Sequence, residues 1–136
     1  MGFMSVLSYA HKLAGERIRP GDCAIDATAG GGNDTLYLAR AVGPRGIVYS
    51  FDIQQEALDQ TAARLDRARD DEKLGQVILT LGSHDRMADV LPAELHGHIA
   101  AVMFNLGYLP GGDQTVITTV ETTLSALEAA VRLVRT

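Results

Sequence analysis

The sequence lacks an excess of positive charge. It carries 12 lysine and arginine residues against 17 aspartate and glutamate residues, for a formal net charge of −5 at pH 7. Such a chain has no overall electrostatic attraction to a polyanion such as nucleic acid. Any contact with RNA must therefore use a local basic patch, and the candidates are Arg17, Arg19, Arg64, Arg67 and Arg69. The alternative for these arginines is a solvated helix face paired with nearby acidic residues.

Cysteine and long apolar runs are also scarce. Cys23 is the single cysteine, which excludes an internal disulfide and a cysteine-based zinc site, and its apolar neighbours indicate a buried strand. No apolar stretch approaches the roughly 20 residues needed to cross a bilayer, and the N-terminus has no basic segment followed by an apolar one. We therefore expect a cytoplasmic protein with no membrane partner.

The sequence alternates between predicted strands and predicted helices. Its 136 residues suffice for one compact domain, residues 1–136. Short apolar and β-branched runs predict four strands, at 23–28, 47–53, 77–81 and 99–104. Apolar residues at helical spacing predict helices at 5–18, 34–42, 57–68 and 85–91, and a long amphipathic helix that carries Val116, Ile117, Val120, Leu124, Leu127, Val131 and Val134.

This alternation predicts an α/β fold with a Rossmann-like, doubly wound and mostly parallel sheet. In such a sheet, ligands bind beyond the carboxyl ends of the strands. A helix that returns across the sheet is normally followed by another strand, whereas this sequence stops at the helix. We therefore expect the C-terminal strands of the sheet to be missing from this chain.

A glycine-rich loop follows the first predicted strand, where glycines allow backbone amides to approach a ligand closely. A phosphate-binding P-loop is excluded, because Gly32 is followed by Asn33 instead of lysine. A dinucleotide-binding fingerprint is disfavoured, because it requires glycine where Thr35 stands. The spacing that fits is an acidic residue, three others, glycine, any residue and glycine, here Asp26, Gly30 and Gly32. This spacing resembles motif I of class I S-adenosylmethionine (SAM) dependent methyltransferases.

The resemblance implies that the loop binds SAM, whose ammonium and sulfonium groups tolerate acidic neighbours. Asp52 lies 20 residues beyond Gly32 at the end of a predicted strand, where its carboxylate can accept both ribose hydroxyls. Ser83 and His84 occupy the place where these enzymes contact adenine. The alternative for Asp34, Asp52, Ser83 and His84 is helix capping, and the loop itself could be an ordinary tight turn. The candidate cofactor-binding residues are Asp26, Thr28, Gly30, Gly32, Asn33, Asp34, Asp52, Ile53, Ser83, His84 and Asn105.

The segment after the fourth predicted strand resembles motif IV of amino-methyltransferases, in which Asn or Asp precedes two prolines and an aromatic residue. An amine attacks a methyl group only as the neutral base, so the site needs acceptors for its N–H bonds, and the side-chain oxygen of Asn105 can supply one. Tyr108 could stack on a base or form a wall of the pocket. Asn105 and Tyr108 are therefore the candidate catalytic residues. Leu106 and Gly107 depart from the two prolines, and the alternative is a simple glycine-rich turn.

These motifs together resemble one family, the small rRNA methylases that include the tRNA 5-aminomethyl-2-thiouridine methyltransferases. The resemblance extends over residues 9–134 and is most specific at 105–113. It implies methyl transfer from SAM to the aminomethyl nitrogen on the wobble uridine of tRNA, with S-adenosylhomocysteine (SAH) as the product. The implied partner is tRNA, or else rRNA, and a homodimer is a further expectation.

Other functions stay open at this point. The same fold and cofactor could serve a small-molecule methyltransferase, and a partial sheet could be a SAM-binding fragment without catalysis. An NAD-dependent oxidoreductase is disfavoured by Thr35. His11 could accept a proton near the cofactor, although a solvent-facing or capping histidine is the favoured interpretation.

Overall fold

The computed structural model describes residues 6–83, 87–103 and 134, and the side chains of residues 6–10 and 13 are not described. Helices and strands alternate through this part of the chain, as the sequence predicts. The helices are α1 (Val6–Arg17), α2 (Asn33–Val42), α3 (Gln55–Arg69) and α4 (Met87–Val90), and a 3₁₀ turn spans Ala93–Leu95. The strands are β1 (Cys23–Asp26), β2 (Ile47–Asp52), β3 (Gln76–Leu81) and β4 (Ala101–Met103).

The four strands form one sheet in the order β3-β2-β1-β4. Every pairing between them is parallel, and Ile25 in the central strand lies between Tyr49 of β2 and Val102 of β4. The predicted doubly wound parallel sheet is confirmed. The chain continues from β1 to β2 and β3 on one side and then crosses to β4 on the other side of β1. The carboxyl ends of β1, β2 and β4 therefore surround the topological switch point, where such folds bind ligands.

The core divides between the two faces of the sheet. Alternate residues of a strand point to opposite faces. Ala24 and Val48 therefore pack with α1, α2 and α3, whereas Ile25 and Phe51 pack with Met87 of α4. Burying apolar side chains on both faces requires helices on both faces, which explains the double winding.

Cys23 begins β1 and is buried, as predicted. Burial raises the pKa of its thiol to about 11. The thiolate is the reactive form of cysteine, so this residue is a packing residue of the strand. In the described part of the chain, no helix is long and apolar enough to span a bilayer.

The structure corrects one element near the C-terminus. Val134 was predicted to lie on the face of the long amphipathic helix, but it forms a parallel bridge with Ile99, just before β4. Helical spacing cannot separate the last apolar residue of a helix from the first residue of a following strand, because valine fits both. The bridge to Ile99 shows that Val134 has a β-type pairing and does not lie on a helix face. The rest of the predicted helix lies outside the described residues.

Replacement of Leu38 should test the packing of α2 on the sheet. Leu38 is 0% exposed, and Leu38→Ala should lower the free energy of unfolding by about 2–5 kcal/mol because it removes buried contacts and leaves a cavity. Leu81→Ala is the matched control, since this leucine is 55% exposed, and its effect should stay within about 0.5 kcal/mol. Urea unfolding of both variants measures the difference. Equal losses would contradict the described core.

Candidate cofactor site

The glycine loop extends the hydrogen bonding of the sheet beyond the end of β1. The Ala27 N–H donates to Met103 O of β4 at 2.8 Å, and the Ala29 N–H donates to Phe51 O of β2 at 2.7 Å. These two bonds attach the loop to both neighbouring strands. The loop therefore lies at the carboxyl edge of the sheet, as predicted, and its backbone is held in a defined position.

Asp52, at the end of β2, holds the loop from the side. Its Oδ2 accepts the Gly30 N–H at 3.0 Å and its Oδ1 accepts the Gln54 N–H at 2.9 Å. Each carboxylate oxygen has two lone pairs, so one acceptor position per oxygen remains beyond these bonds. The carboxylate is fixed in orientation and half-buried, which suits an acceptor for two adjacent hydroxyl groups.

Gly30 leaves open space beside this carboxylate. Its φ is +55°, and a Cβ built on it would meet no atom within 4 Å in the described structure. The backbone at Gly30 is therefore accessible to a ligand that approaches Asp52. An open backbone surface next to an oriented carboxylate fits the ribose and methionine portions of a nucleoside cofactor such as SAM.

Asp26 lies beneath the loop and does not reach its surface. Its carboxyl group is 0% exposed, and it accepts hydrogen bonds from the Thr28 N–H at 3.1 Å and from Thr35 Oγ1 at 2.6 Å. Thr35 Oγ1 is in turn 2.7 Å from Ser50 Oγ. Burial raises the pKa of the Asp26 carboxyl group to about 8, and the nearby carboxylates of Asp34 and Asp52 add to the increase. Asp26 therefore supports the loop from below, and its direct contact with a cofactor stays a prediction.

Thr35 and Ser50 were missed by the sequence interpretation. Thr35 served only as an argument against a dinucleotide-binding fingerprint, and Ser50 drew no attention. Both residues are fully buried; the Thr35 hydroxyl donates to Asp26, and the Ser50 hydroxyl is the partner of Thr35. A polar residue at each position in otherwise apolar surroundings was the available signal, because buried hydroxyls require partners.

Helix α3 supports the loop from a second side. Arg64 Nε donates to Gly31 O at 2.9 Å. A Cβ on Gly32 would lie 2.9 Å from the Cα of Thr61. Arg64 was a candidate for binding phosphates, but in the structure it holds the loop. Arg69, another candidate, also donates to the backbone, to Gly75 O at 2.9 Å. Carbonyl oxygens that would otherwise lack donors explain why these side chains fold back onto the chain.

Asp34, in the first turn of α2, pairs with a histidine from α1. His11 Nε2 is 2.6 Å from Asp34 Oδ1, and the two side chains are 17% and 7% exposed. The N-cap residue of α2 is Gly32, without a side-chain capping hydrogen bond. The favoured solvent-facing or capping role of His11 is therefore wrong, because α1 packs against α2 and brings the ring to a buried carboxylate.

The remaining predicted residues divide into two groups. Thr28, Ile53 and Ser83 are half-buried near the carboxyl edge, and Asn33 is exposed at the start of α2. His84, Asn105 and Tyr108 lie outside the described residues, so their predicted roles stay predictions. Within the described ranges, no three His, Cys, Asp or Glu side chains are grouped as a metal ion would require.

Two solved structures share this architecture. One is described as a putative rRNA-methylase from Clostridium thermocellum. It is 37% identical with a TM-score of 0.88, and the matched region covers 100% of this chain and 69% of that protein's chain. The other is described as a putative methyltransferase from Streptococcus mutans in complex with SAH. It is 30% identical with a TM-score of 0.81, and the matched region covers 98% of this chain and 69% of that protein's chain. The fold is that of the class I SAM-dependent methyltransferases.

The sequence comparisons identify the family within this class. The chain belongs to the rRNA_methylase family, described as "Putative rRNA methylase", whose model matches residues 48–136. The tRNA (mnm(5)s(2)U34)-methyltransferase, chloroplastic, of Arabidopsis thaliana is 41% identical over 131 residues, which are 93% of this chain and 47% of that protein. The chain therefore spans about half the length of this curated relative. The family resemblance seen in the sequence is confirmed.

Gly32 should not tolerate a side chain. Its φ is +90°, and an added Cβ would lie 2.9 Å from the Thr61 backbone, so Gly32→Ala should lower the free energy of unfolding by about 1–3 kcal/mol. Gly82→Ala is the control, because a Cβ there meets nothing within 4 Å in the described structure. Chemical denaturation of both variants tests the difference. A neutral Gly32→Ala would contradict the described packing of the loop on α3.

Asp26 should make stability depend on pH. Its pKa is raised from 3.8 to about 8 in the folded chain, so the unfolded chain loses this proton at lower pH than the folded chain does. The contribution of Asp26 to the free energy of unfolding should therefore decrease as pH rises from about 4 to about 8 and level off above that range. Asp26→Asn should remove this slope, whereas Asp66→Asn, at an exposed position of α3, should keep it. Parallel pH profiles for the parent chain and Asp26→Asn in urea denaturation would contradict the prediction.

Proposed function

We propose that this chain binds SAM at the glycine loop and takes part in methyl transfer to RNA. The observation that carries the cofactor assignment is the pairing of the Asp52 carboxylate with the Gly30 N–H at 3.0 Å, next to the open space at Gly30. When bound, SAM supplies an electrophilic methyl group on a sulfonium. The carboxylates of the site suit a cation and would repel a pyrophosphate.

The residues of the chain have separate roles in this proposal. Asp52 accepts hydrogen bonds from the ribose hydroxyls, and the open backbone at Gly30 allows the cofactor to approach. Asp26, Thr35 and Ser50 keep the loop in place from below. The S. mutans relative was solved with SAH, the product of SAM after methyl transfer, which supports the choice of cofactor.

The proposed acceptor is the aminomethyl nitrogen on the wobble uridine of tRNA. It is supported by the 41% identity to the A. thaliana enzyme named for this position. It is also supported by the segment at 105–113, because an Asn105 oxygen can accept from an amine N–H and align its lone pair with the methyl group. A neutral amine that is aligned for in-line displacement is the chemical requirement of the reaction.

Two observations favour a small-molecule acceptor as the second candidate. Arg64 and Arg69 donate to carbonyl oxygens of the chain, and the net charge is −5. The hydrogen bonds occupy donor groups that these two arginines could otherwise offer to phosphates, and the net charge gives no overall attraction to tRNA. A small amine would not need such a surface.

Calorimetric titration with SAM tests the cofactor assignment. Asp52→Ala should weaken binding by tenfold or more, about 1.4 kcal/mol, because it removes both the ribose acceptor and the support of Gly30. Asp59→Ala, at an exposed position of α3, should bind as the parent does. No binding by a folded parent chain would overturn the proposal.

A second assay tests the acceptor. The chain is incubated with methyl-labelled SAM and with tRNA that carries the aminomethyl wobble uridine, and the nucleosides are analysed. Label on that nucleoside, and none with tRNA lacking the aminomethyl group, is expected. Binding of SAM without label on tRNA, together with transfer to a free amine, would favour the small-molecule candidate.

A further inference from the structure

His11 of α1 pairs with Asp34 in the first turn of α2, just after the glycine loop ends. The Nε2–Oδ1 distance is 2.6 Å, and Asp34 is only two residues beyond Gly32. Such a short contact is typical of a charge-assisted hydrogen bond. The pair therefore connects α1 directly to the loop proposed to bind the cofactor.

The imidazole ring is held in a fixed orientation. Tyr37 of α2 stacks against it with 4.1 Å between ring centroids and 9° between planes, and the Tyr37 hydroxyl donates to His11 O at 2.6 Å. When Nε2–H donates to Asp34, Nδ1 carries the basic lone pair of the ring. An oriented imidazole backed by a carboxylate is the arrangement that proteins use to accept a proton.

The surroundings of the ring are acidic. Asp34 contacts it directly, and the charges of Asp34 and Asp52 both act on the buried carboxyl group of Asp26. His11 places a basic side chain against one of these groups, Asp34.

Within residues 6–83 and 87–103, few other titratable groups surround His11. Asp34 and Tyr37 face it from α2, and β4, which also packs against α1, carries no titratable side chain over Ala101–Met103. The charged neighbours on α1, Lys12 and Glu16, are exposed. Among these groups, Asp34 is therefore the carboxylate in direct contact with the ring.

Methyl transfer to an amine changes that charge and releases a proton. The acceptor must lose a proton before its lone pair forms the new N–C bond, and the C–S bond breaks with its electron pair left on sulfur. In total, an ammonium and a sulfonium become a methylammonium, a neutral thioether and one proton. The carboxylates then lose the sulfonium charge that balanced them.

We propose that His11, held by Asp34, is the group that takes up this proton as the sulfonium charge is lost. This inference rests on the proposed function, because it requires SAM and SAH to bind beside the carboxylates. His11 gains a positive charge in the product state, which replaces the charge that left with the methyl group. Asp34 is the positioning residue, since it orients the ring and stabilises its charged form.

Proton uptake on cofactor binding tests the inference without any need for methyl transfer. The 136-residue chain is titrated calorimetrically with SAM and with SAH in buffers that differ in ionisation enthalpy. Binding of SAH should take up as much as about one proton more than binding of SAM. A difference of one proton means that the affinity for SAM relative to SAH should rise with pH, by up to about tenfold per pH unit.

His11→Gln keeps a hydrogen-bond donor for Asp34 but cannot accept the proton, so the difference between SAM and SAH should disappear in this variant. His98→Gln is the matched control, because His98 is exposed, and it should keep the difference. Equal proton uptake for SAM and SAH in the parent chain would overturn the inference and leave SAM binding established. A difference that persists in His11→Gln would assign the proton to another group, such as Asp26, and would also overturn it.

Two further outcomes are decisive. If neither ligand binds to the folded parent chain, the proposed function fails and the inference fails with it. If His11→Gln does not fold, the imidazole signals of the parent chain in NMR replace it. At one fixed pH, those of His11 should show a protonated ring in the SAH complex and a neutral ring in the SAM complex, and identical signals in the two complexes would overturn the inference.

Discussion

The hydrogen bonds that tie the glycine loop to the strands on both sides of β1 are the constraint on which the site depends. The N–H groups of Ala27 and Ala29 donate to carbonyl groups near the carboxyl ends of β4 and β2, so the parallel sheet holds the loop in position. A loop without these bonds would have to be ordered by its ligand, at the cost of binding energy. The parallel order of the strands is thus a requirement of the site as well as of the core.

A second constraint acts from below. The Asp26 carboxyl group, Thr35 and Ser50 form a polar chain in an otherwise apolar interior. Such a network is costly if incomplete, and it specifies one arrangement of the segments that it joins when every member has a partner. Here it joins β1, β2 and α2, the three elements that define the base of the loop. The acidic residue of the glycine motif is therefore explained by the architecture of the loop alone, before any ligand is considered.

The sequence predicted what depends on local chemistry. The apolar runs located the strands, and the spacing of Asp26, Gly30 and Gly32 located the loop, because glycine requirements and strand periodicity are properties of neighbouring residues. It could not predict that Tyr37 stacks on His11, since these residues are 26 apart and meet only when α1 packs on α2. The same holds for Arg64, whose carbonyl partner is 33 residues away. Val134 was misplaced because the periodicity of a helix says little at its last residue.

Helix α3 gives the loop its rear support through Arg64 and the backbone at Thr61. This helix is the longest described in the chain, and its outer face is largely exposed. Amino-acid changes on α3 can shift the loop by a fraction of an ångström while leaving every ligand-contacting side chain in place. Differences in cofactor affinity among relatives could therefore arise on a surface helix, where an inspection limited to the binding pocket would not look for them.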